Sequence, residues 1–372
     1  MDIINFVFLN LMIIPHYVKG VCDWPTEFQN TTWKDSSKGD IEFTTNTLTG
    51  WSITISAVLP HQHFDTWFCH STDLYTEQNI LVLITQSTFQ PYGNTVYGYI
   101  CVELLEITQS SYRYYLRNPI SAGVNYERIQ MSTSNTENNW DTLCLFDESY
   151  ASFRPETSEY RVLIDKNQVS NAKIDCPYVF LGTYRYNHSA SNGIDSCDIS
   201  TSTFTMCNDV TDITFDYNVC PTQVAYSKSD TVWCVDTVMN NGNNYVTLYN
   251  GNDEETDIDD SSIYRFSCIS VSSDLTVSSV SPGSCKNGQT PDKYSNNGTS
   301  DIGAILSLVQ TVTCPHVDVP NGGTVTYSTN GAVTIVTYSC NEDYSLAGPE
   351  VRTCRSNNTW TDEDPTCSMI LL

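Results

Sequence analysis

Short runs of β-branched and aromatic residues recur along the chain, bounded by Asn, Gly or Ser, and long amphipathic helical periods are hard to find. Ile80–Ile84 (ILVLI), Tyr112–Leu116 (YRYYL), Tyr245–Tyr249 (YVTLY) and Thr334–Tyr338 (TIVTY) carry the strand signal most strongly. Such runs at close spacing predict an all-β, multidomain chain of β-sandwich or small-barrel modules. Two apolar stretches depart from this pattern. The first runs from Ile3 to Ile14 and leads to Val18-Lys19-Gly20, whose small residues suit signal peptidase. It predicts a signal peptide over residues 1–20 and a secreted mature chain. Asn5, Asn10 and Pro15 interrupt it, and it falls short of the roughly 20 apolar residues that span a bilayer. The second, residues 302–312 (IGAILSLVQTV), is also too short, so no membrane span is expected.

Composition narrows the function classes. The 372 residues correspond to two or three domains at roughly 150 residues each. Acidic residues number 43 against 17 basic ones, for a net charge of -26. Such a surface repels phosphate backbones and anionic lipids, which argues against nucleic acid as a partner. With 23 Tyr, 13 Phe and 7 Trp, the chain is too rich in core formers to be disordered.

All fifteen cysteines lie beyond Gly20 and none forms a C-x-x-C pair, which favours a disulfide framework over zinc. They fall into three groups that set the expected domains. Residues 22–144 form a first Cys-rich module, 176–285 a second, and 314–367 a third, with connections at 145–175 and 286–313. The second connection is expected to be mobile. The first two modules read as a diverged repeat. Each opens on Cys with an aromatic two residues on (Cys22-Asp23-Trp24; Cys176-Pro177-Tyr178) and continues with Gly beside an aromatic strand (Gly50-Trp51; Gly182-Thr183-Tyr184). Trp67-Phe68-Cys69 then matches Trp233-Cys234, and YGYIC matches YRFSC, at intervals of 31 and 33 residues between the cysteines. Both modules, the second more than the first, resemble Cys-rich modules of secreted or membrane-anchored animal proteins of uncharacterised function.

The third module carries the most specific motif set: Cys314-Pro315, Pro320-Asn321-Gly322, Tyr338-Ser339-Cys340, Tyr344-Ser345-Leu346-Ala347-Gly348, Arg352-Thr353-Cys354, Trp360 and Pro365-Thr366-Cys367. Over all 54 residues it resembles a sushi, or complement control protein, module. The resemblance implies a binding or spacing unit without chemistry, with disulfides Cys314–Cys354 and Cys340–Cys367. A domain so small needs such staples, worth about 2 to 4 kcal/mol each, and Trp360 is its expected core plug. Asp343 stands where the family usually has Gly, and Asp is among the side chains that tolerate a left-handed backbone.

Four N-x-S/T sequons, at Asn30, Asn187, Asn297 and Asn357, predict surface glycosylation positions. His61, His63, Asp65, Cys69 and His70 lie within ten residues, yet their spacing places no third metal ligand, so a polar turn leading into a strand is expected. His188 and His316 are read as surface residues. No G-x-S-x-G or H-E-x-x-H motif occurs, and neither catalysis nor a cofactor is expected. The acidic run at residues 252–260 (NDEETDIDD) lacks EF-hand spacing and is expected to bind calcium weakly at most. Gly182-Thr183-Tyr184 resembles the G-x-W opening of lipocalin barrels, although packed modules without a cavity are favoured. The expectation is therefore an extracellular binding or adhesion protein with a protein or glycan partner. A carrier of a small hydrophobic ligand is the alternative, and a hydrolase around His61 and His63 stands third. Fifteen cysteines leave one over, in the second group if pairing respects the domains, and Cys285 beside its Lys286 is expected to be free or to link a dimer. The competing arrangement pairs Cys285 with Cys176.

Overall fold

The computed structural model describes residues 22–56, 61–191, 193, 196–199, 202–206, 209–218, 220, 224–227, 229–251, 264–295, 301–313, 316–330, 333–354 and 359–370. The signal-peptide segment, Asn297, Asn357, Cys207, Cys314 and the acidic run lie outside them. The chain is almost entirely β and divides into two compact units. One takes the residues up to Asn30 with Phe43–Val102 and Leu116–Phe153; the other takes Thr31–Glu42, Glu103–Tyr115 and Arg154 onward.

The strands of the first half are β1 (Thr31–Asp35), β2 (Gly39–Phe43), β3 (Thr47–Ile55), β4 (Gln62–Ser71), β5 (Ile80–Thr85), β6 (Tyr97–Thr108), β7 (Ser111–Leu116), β8 (Ile120–Ser121), β9 (Glu127–Arg128), β10 (Gln130–Ser132) and β11 (Arg161–Asp165). In the first unit the order is β10-β6-β5-β4-β3, all antiparallel where the register is resolved. β5 is buried at every position, as a continuous apolar run requires. Phe68, Val82, Ile84, Tyr99 and Leu143 pack around the Cys101–Cys144 disulfide, and Cys22–Cys69 ties the start of the module to β4.

In the second unit β2, β1, β11 and β7 form one sheet. Beyond it come β12 (Gly182–Ala190), β13 (Ser196–Cys197), β14 (Thr203–Met206), β15 (Asp212–Phe215), β16 (Thr231–Asn240), β17 (Asn243–Tyr249), β18 (Phe266–Val271), β19 (Val277–Pro282) and β20 (Ala304–Thr313). β12 and then β14 to β20 pair in sequence order, and β20 returns to β12 through nine residue pairs. The result is a closed up-and-down barrel of eight strands, the strand number of lipocalins. Its interior is filled with side chains. Tyr184 stacks on Phe204 at 5.0 Å between ring centroids, and Phe180, Tyr186, Phe215 and Tyr217 extend the ring cluster. The Tyr184 hydroxyl donates to the Val179 carbonyl at 2.8 Å, so its polar end is satisfied at the start of the barrel.

Each of the two expected connections contains a strand. The segment 145–175 contains β11, and 286–313 contains β20. The physical reason is burial. Tyr160, Val162 and Ile164 cover the outward-facing residues Val235, Val238, Tyr245, Tyr249 and Phe266 of β16 to β18, whose other faces line the barrel. Ala304, Leu306 and Leu308 alternate inward to close the ring. A register irregularity in β16 between Cys234 and Asp236 resets the alternation, so that Val235 and Val238, three residues apart, both join the outer cluster while Val232 and Cys234 face inward.

Asp236, 1% exposed, faces Arg113 of β7 in a two-pronged ion pair, with Nε donating to Oδ2 at 2.7 Å and Nη2 to Oδ1 at 2.5 Å. Arg113 also donates to the Thr237 carbonyl and lies 5.4 Å from the Tyr160 ring centre. Burial pushes the Asp236 carboxyl above its ordinary value, and the guanidinium pulls against that shift without cancelling it.

The disulfides correct the sequence expectation. Cys285 is bonded to Cys268 and Cys176 to Cys234, so Cys285 is neither free nor the partner of Cys176. β19 runs back antiparallel to β18 with Cys268 opposite Ser281, and the turn after β19 then brings Cys285 to a Cα distance of 4.9 Å from Cys268. A third bond joins Cys197 to Cys220.

Replacing Asp236 by Leu alone should cost about 3 kcal/mol, because Arg113 is left half-buried without its carboxylate. The double replacement with Arg113→Leu should cost clearly less than the two single changes added together. Urea unfolding of the three variants checks this, and additive costs would show that the pair is not coupled.

Candidate interaction surface

The C-terminal module is built from β21 (Gly323–Asn330), β22 (Val333–Cys340) and β24 (Val351–Thr353) in one sheet, and β23 (Tyr344–Ala347) with β25 (Thr366–Met369) in another. Cys340 is bonded to Cys367, which staples β22 to β25. Cys354 is buried, and Cys314 lies outside the described residues. Trp360 is 9% exposed, forms a bridge with Cys354 and lies 6.5 Å from the Tyr327 ring. Val317, Val336 and Tyr338 share its cluster, which runs on into the barrel interior.

The motif residues have local causes. Asp343 holds a φ of 73°, the left-handed conformation that its Gly-like place demands, and its carbonyl accepts from the Ile370 amide at 2.8 Å. Gly322 has a φ of 76°, and a Cβ there would meet the Tyr344 ring at 2.6 Å. Arg352 is buried at the centre of the module: it donates to the Thr361 carbonyl at 2.7 Å, the Asp362 carbonyl at 2.8 Å and the Tyr338 hydroxyl at 3.1 Å, and pairs with Asp364. Burial pushes the Tyr338 phenol above its ordinary value, with the guanidinium acting in the opposite sense.

The outside of the module differs sharply from this interior. Val319, Val351, Met369 and Ile370 are exposed large apolar residues. Asp318, Glu342, Asp343, Glu350, Asp362, Glu363 and Asp364 are exposed as well, against two basic residues over 314–367. One of those two is the buried Arg352. β25 pairs only with β23 among the described residues and is exposed at three of its four positions. No sequence signal had marked these apolar positions, because exposure within a small two-sheet module depends on which strands its neighbours cover.

The remaining candidates are dispersed. Asn30 and Asn187 are both exposed, with Asn187 midway along β12. His61 and His63 are exposed, and His63 Nδ1 lies 3.0 Å from the Thr54 hydroxyl. Cys69 is consumed by its disulfide. His70 is instead buried against the edges of Tyr99 and Trp140, with Nε2 at 2.8 Å from the Glu137 carbonyl. Among the described residues no group of three or more His, Cys, Asp or Glu could hold a metal ion. His188 is a correction: it is 5% exposed. Tyr184, Tyr186 and His188 alternate along β12 on its buried face, and that period-two pattern was the signal that the sequon obscured. His316 is at the surface, 3.9 Å from Asp318.

Comparison with known proteins agrees with the geometry where the two overlap. Residues 314–367 match the family model described as Sushi repeat (SCR repeat), so the C-terminal module is a sushi repeat. Residues 172–300, which span the barrel up to the start of β20, match the model described as Domain of unknown function (DUF7042). A mouse (Mus musculus) protein, "Sushi, von Willebrand factor type A, EGF and pentraxin domain-containing protein 1", is 28% identical over 100 residues, covering 26% of this chain and 3% of that protein. The chain thus matches only a small part of that relative. A sushi repeat and six disulfides among the described residues fit a protein-interaction role outside the cell. Among the described residues no helix is long and apolar enough to cross a membrane.

Trp360→Ala should destabilise the module by about 3 to 5 kcal/mol, through the cavity that the lost ring leaves. Faster amide exchange along β21 and β22, together with an earlier thermal transition of the full chain, is the expected result. Unchanged exchange would remove Trp360 from the core.

Proposed function

We propose that the chain is a secreted, non-enzymatic binding or adhesion protein whose sushi repeat contacts a protein partner while the two Cys-rich β modules present it. The observation that carries this reading is the exposure of Val319, Val351, Met369 and Ile370 among acidic side chains on a small module with a well-satisfied interior. A protein partner is favoured over an anionic glycan, since the same acidic side chains repel sulfate and sialate. The carrier alternative needs an open barrel, and aromatic rings occupy the core of this one. The test is proximity capture on native tissue with the full chain, beside a Met369→Asp, Ile370→Asp variant that keeps the thermal transition. A partner captured by the native chain and lost by the variant supports the reading. Equal capture by both would place binding elsewhere.

The cysteine count bears on assembly. Among the described residues, six bonds account for twelve of the fifteen cysteines. With Cys314 and Cys354 paired as in sushi modules, Cys207 is the odd one and the place through which a disulfide-linked dimer would form. Non-reducing peptide mapping is expected to find Cys207 alkylatable, bound to a small thiol, or bound to its own copy. A Cys207–Cys314 or Cys207–Cys354 peptide would refute this assignment.

A further inference from the structure

Asn187 is an unusual place for a sequon. It lies in the middle of β12, paired with Ser307 of β20 on one edge, while the next two residues pair with Cys197 and Ser196 of β13 on the other. The Tyr186 amide donates to the Ser202 carbonyl at 3.1 Å, so the backbone just before the sequon is held on that second edge as well. A transferase must draw an acceptor Asn and its hydroxyl residue into its own site in an adaptable conformation, and a strand laced on both edges resists this until the ladder opens. The side chain nevertheless fits a modified residue. Asn187 and Ser189 both face outward and are exposed, as period-two alternation dictates. Asn187 Oδ1 accepts from the Ile199 amide at 2.6 Å, while Nδ2, the atom that an N-linked sugar occupies, donates to nothing among the described residues. The fold uses one half of the amide and leaves the other half to solvent.

We propose that Asn187 carries an N-linked glycan attached before β20 closes the barrel, and that the folded barrel is no longer an acceptor at this position. In the transfer, Nδ2 bonds to the anomeric carbon of a lipid-linked oligosaccharide diphosphate. The bond from that carbon to the diphosphate oxygen breaks, the lipid diphosphate leaves with the electron pair, and one amide proton passes to solvent. Oδ1 is untouched and still receives the Ile199 amide. Chain order supplies the time. β20 begins at Ala304, 117 residues after Asn187. At about 5 to 20 residues per second, the strand that seals β12 follows the sequon by about 6 to 23 s. Asn30 is the internal contrast: it is exposed in a turn outside any strand, with a left-handed φ of 55°.

The inference rests on passage through the secretory pathway, which belongs to the proposed reading, and the experiment separates the two. The full chain is secreted from animal cells, its glycans are released enzymatically in heavy-oxygen water, and peptides are mapped for labelled Asp at positions 30 and 187. Label at Asn187 is expected, and Asn187→Gln should remove one glycan while leaving Asn30 labelled. In a second arm, unglycosylated full chain, either oxidised and folded or reduced and unfolded, is given purified oligosaccharyltransferase and donor. The unfolded chain is expected to accept at Asn187 at least about tenfold faster, with a smaller ratio at Asn30. Label at Asn30 without label at Asn187 overturns the proposal and leaves secretion standing. Label at neither overturns the proposal as well, a chain that never reaches the medium overturns the secreted reading, and equal rates at Asn187 in folded and unfolded chain overturn the ordering.

Discussion

The outer wall of β16, β17 and β18 is apolar, and much of the larger unit follows from the need to cover it. Strand alternation, reset once by the register shift in β16, sends Val232, Val246, Leu248 and Ile269 into the barrel, which leaves Val238, Tyr245, Tyr249 and Phe266 on the side that faces water in an isolated barrel. Tyr160, Val162 and Ile164 cover that side, and burying each such side chain is worth about 1.5 to 3 kcal/mol. Apolar contact sets no register by itself. The Arg113–Asp236 pair does, because a slip by one residue would bury the carboxylate away from the guanidinium fork. The Tyr160 hydroxyl, donating to the Tyr245 carbonyl at 3.0 Å, fixes the same alignment from the other strand.

The disulfides repeat this economy in both Cys-rich modules. The opening cysteine is tied to the strand carrying Trp-Phe-Cys or Trp-Cys, and the later aromatic-Cys strand is tied to the segment that follows it. The closed loops of the first kind span 47 and 58 residues, long enough that each bond removes about 4 kcal/mol of freedom from the unfolded chain. Matching bonds on matching strands make the diverged repeat a feature of the fold as well as of spacing. The Cys197–Cys220 bond has no counterpart in the first module and belongs to the extra residues of the second.

What could be read in advance depended on whether the signal was local. The four aromatic or β-branched runs became β5, β7, β17 and β22 because each is a strand whichever neighbour it meets. The sushi motifs were legible for the same reason: Asp343 adopts its left-handed turn within its own few residues. Errors arose where a long-range partner decides. Residues 302–312 read locally as an apolar stretch too short for a membrane, within an expected connection, whereas Ala304, Leu306 and Leu308 alternate as a barrel strand. The run Tyr160–Ile164 lies within an expected connection and is ordered by the outer wall of β16 to β18, and Cys285 has hydrophilic neighbours in sequence while a hairpin brings it to Cys268. His188 was read through its sequon, while the burial of its ring depends on which way β12 faces.

Arg352 explains why the sushi repeat is so one-sided electrostatically. Its guanidinium is spent on the carbonyls of Thr361 and Asp362, the Tyr338 hydroxyl and Asp364, so it neutralises an interior and contributes little to the outer field. The exposed carboxylates then act nearly unopposed, at a range of about 8 Å in physiological salt. Such a field accelerates encounter with a cationic protein surface, and affinity must come from the few exposed apolar side chains. A stable interface takes roughly 800 Å² from each partner, a large share of what a 54-residue module can offer. A lone repeat of this kind therefore binds transiently on its own. Further contact surface, or linkage of several such modules, lengthens attachment, because linkage raises avidity without new contacts.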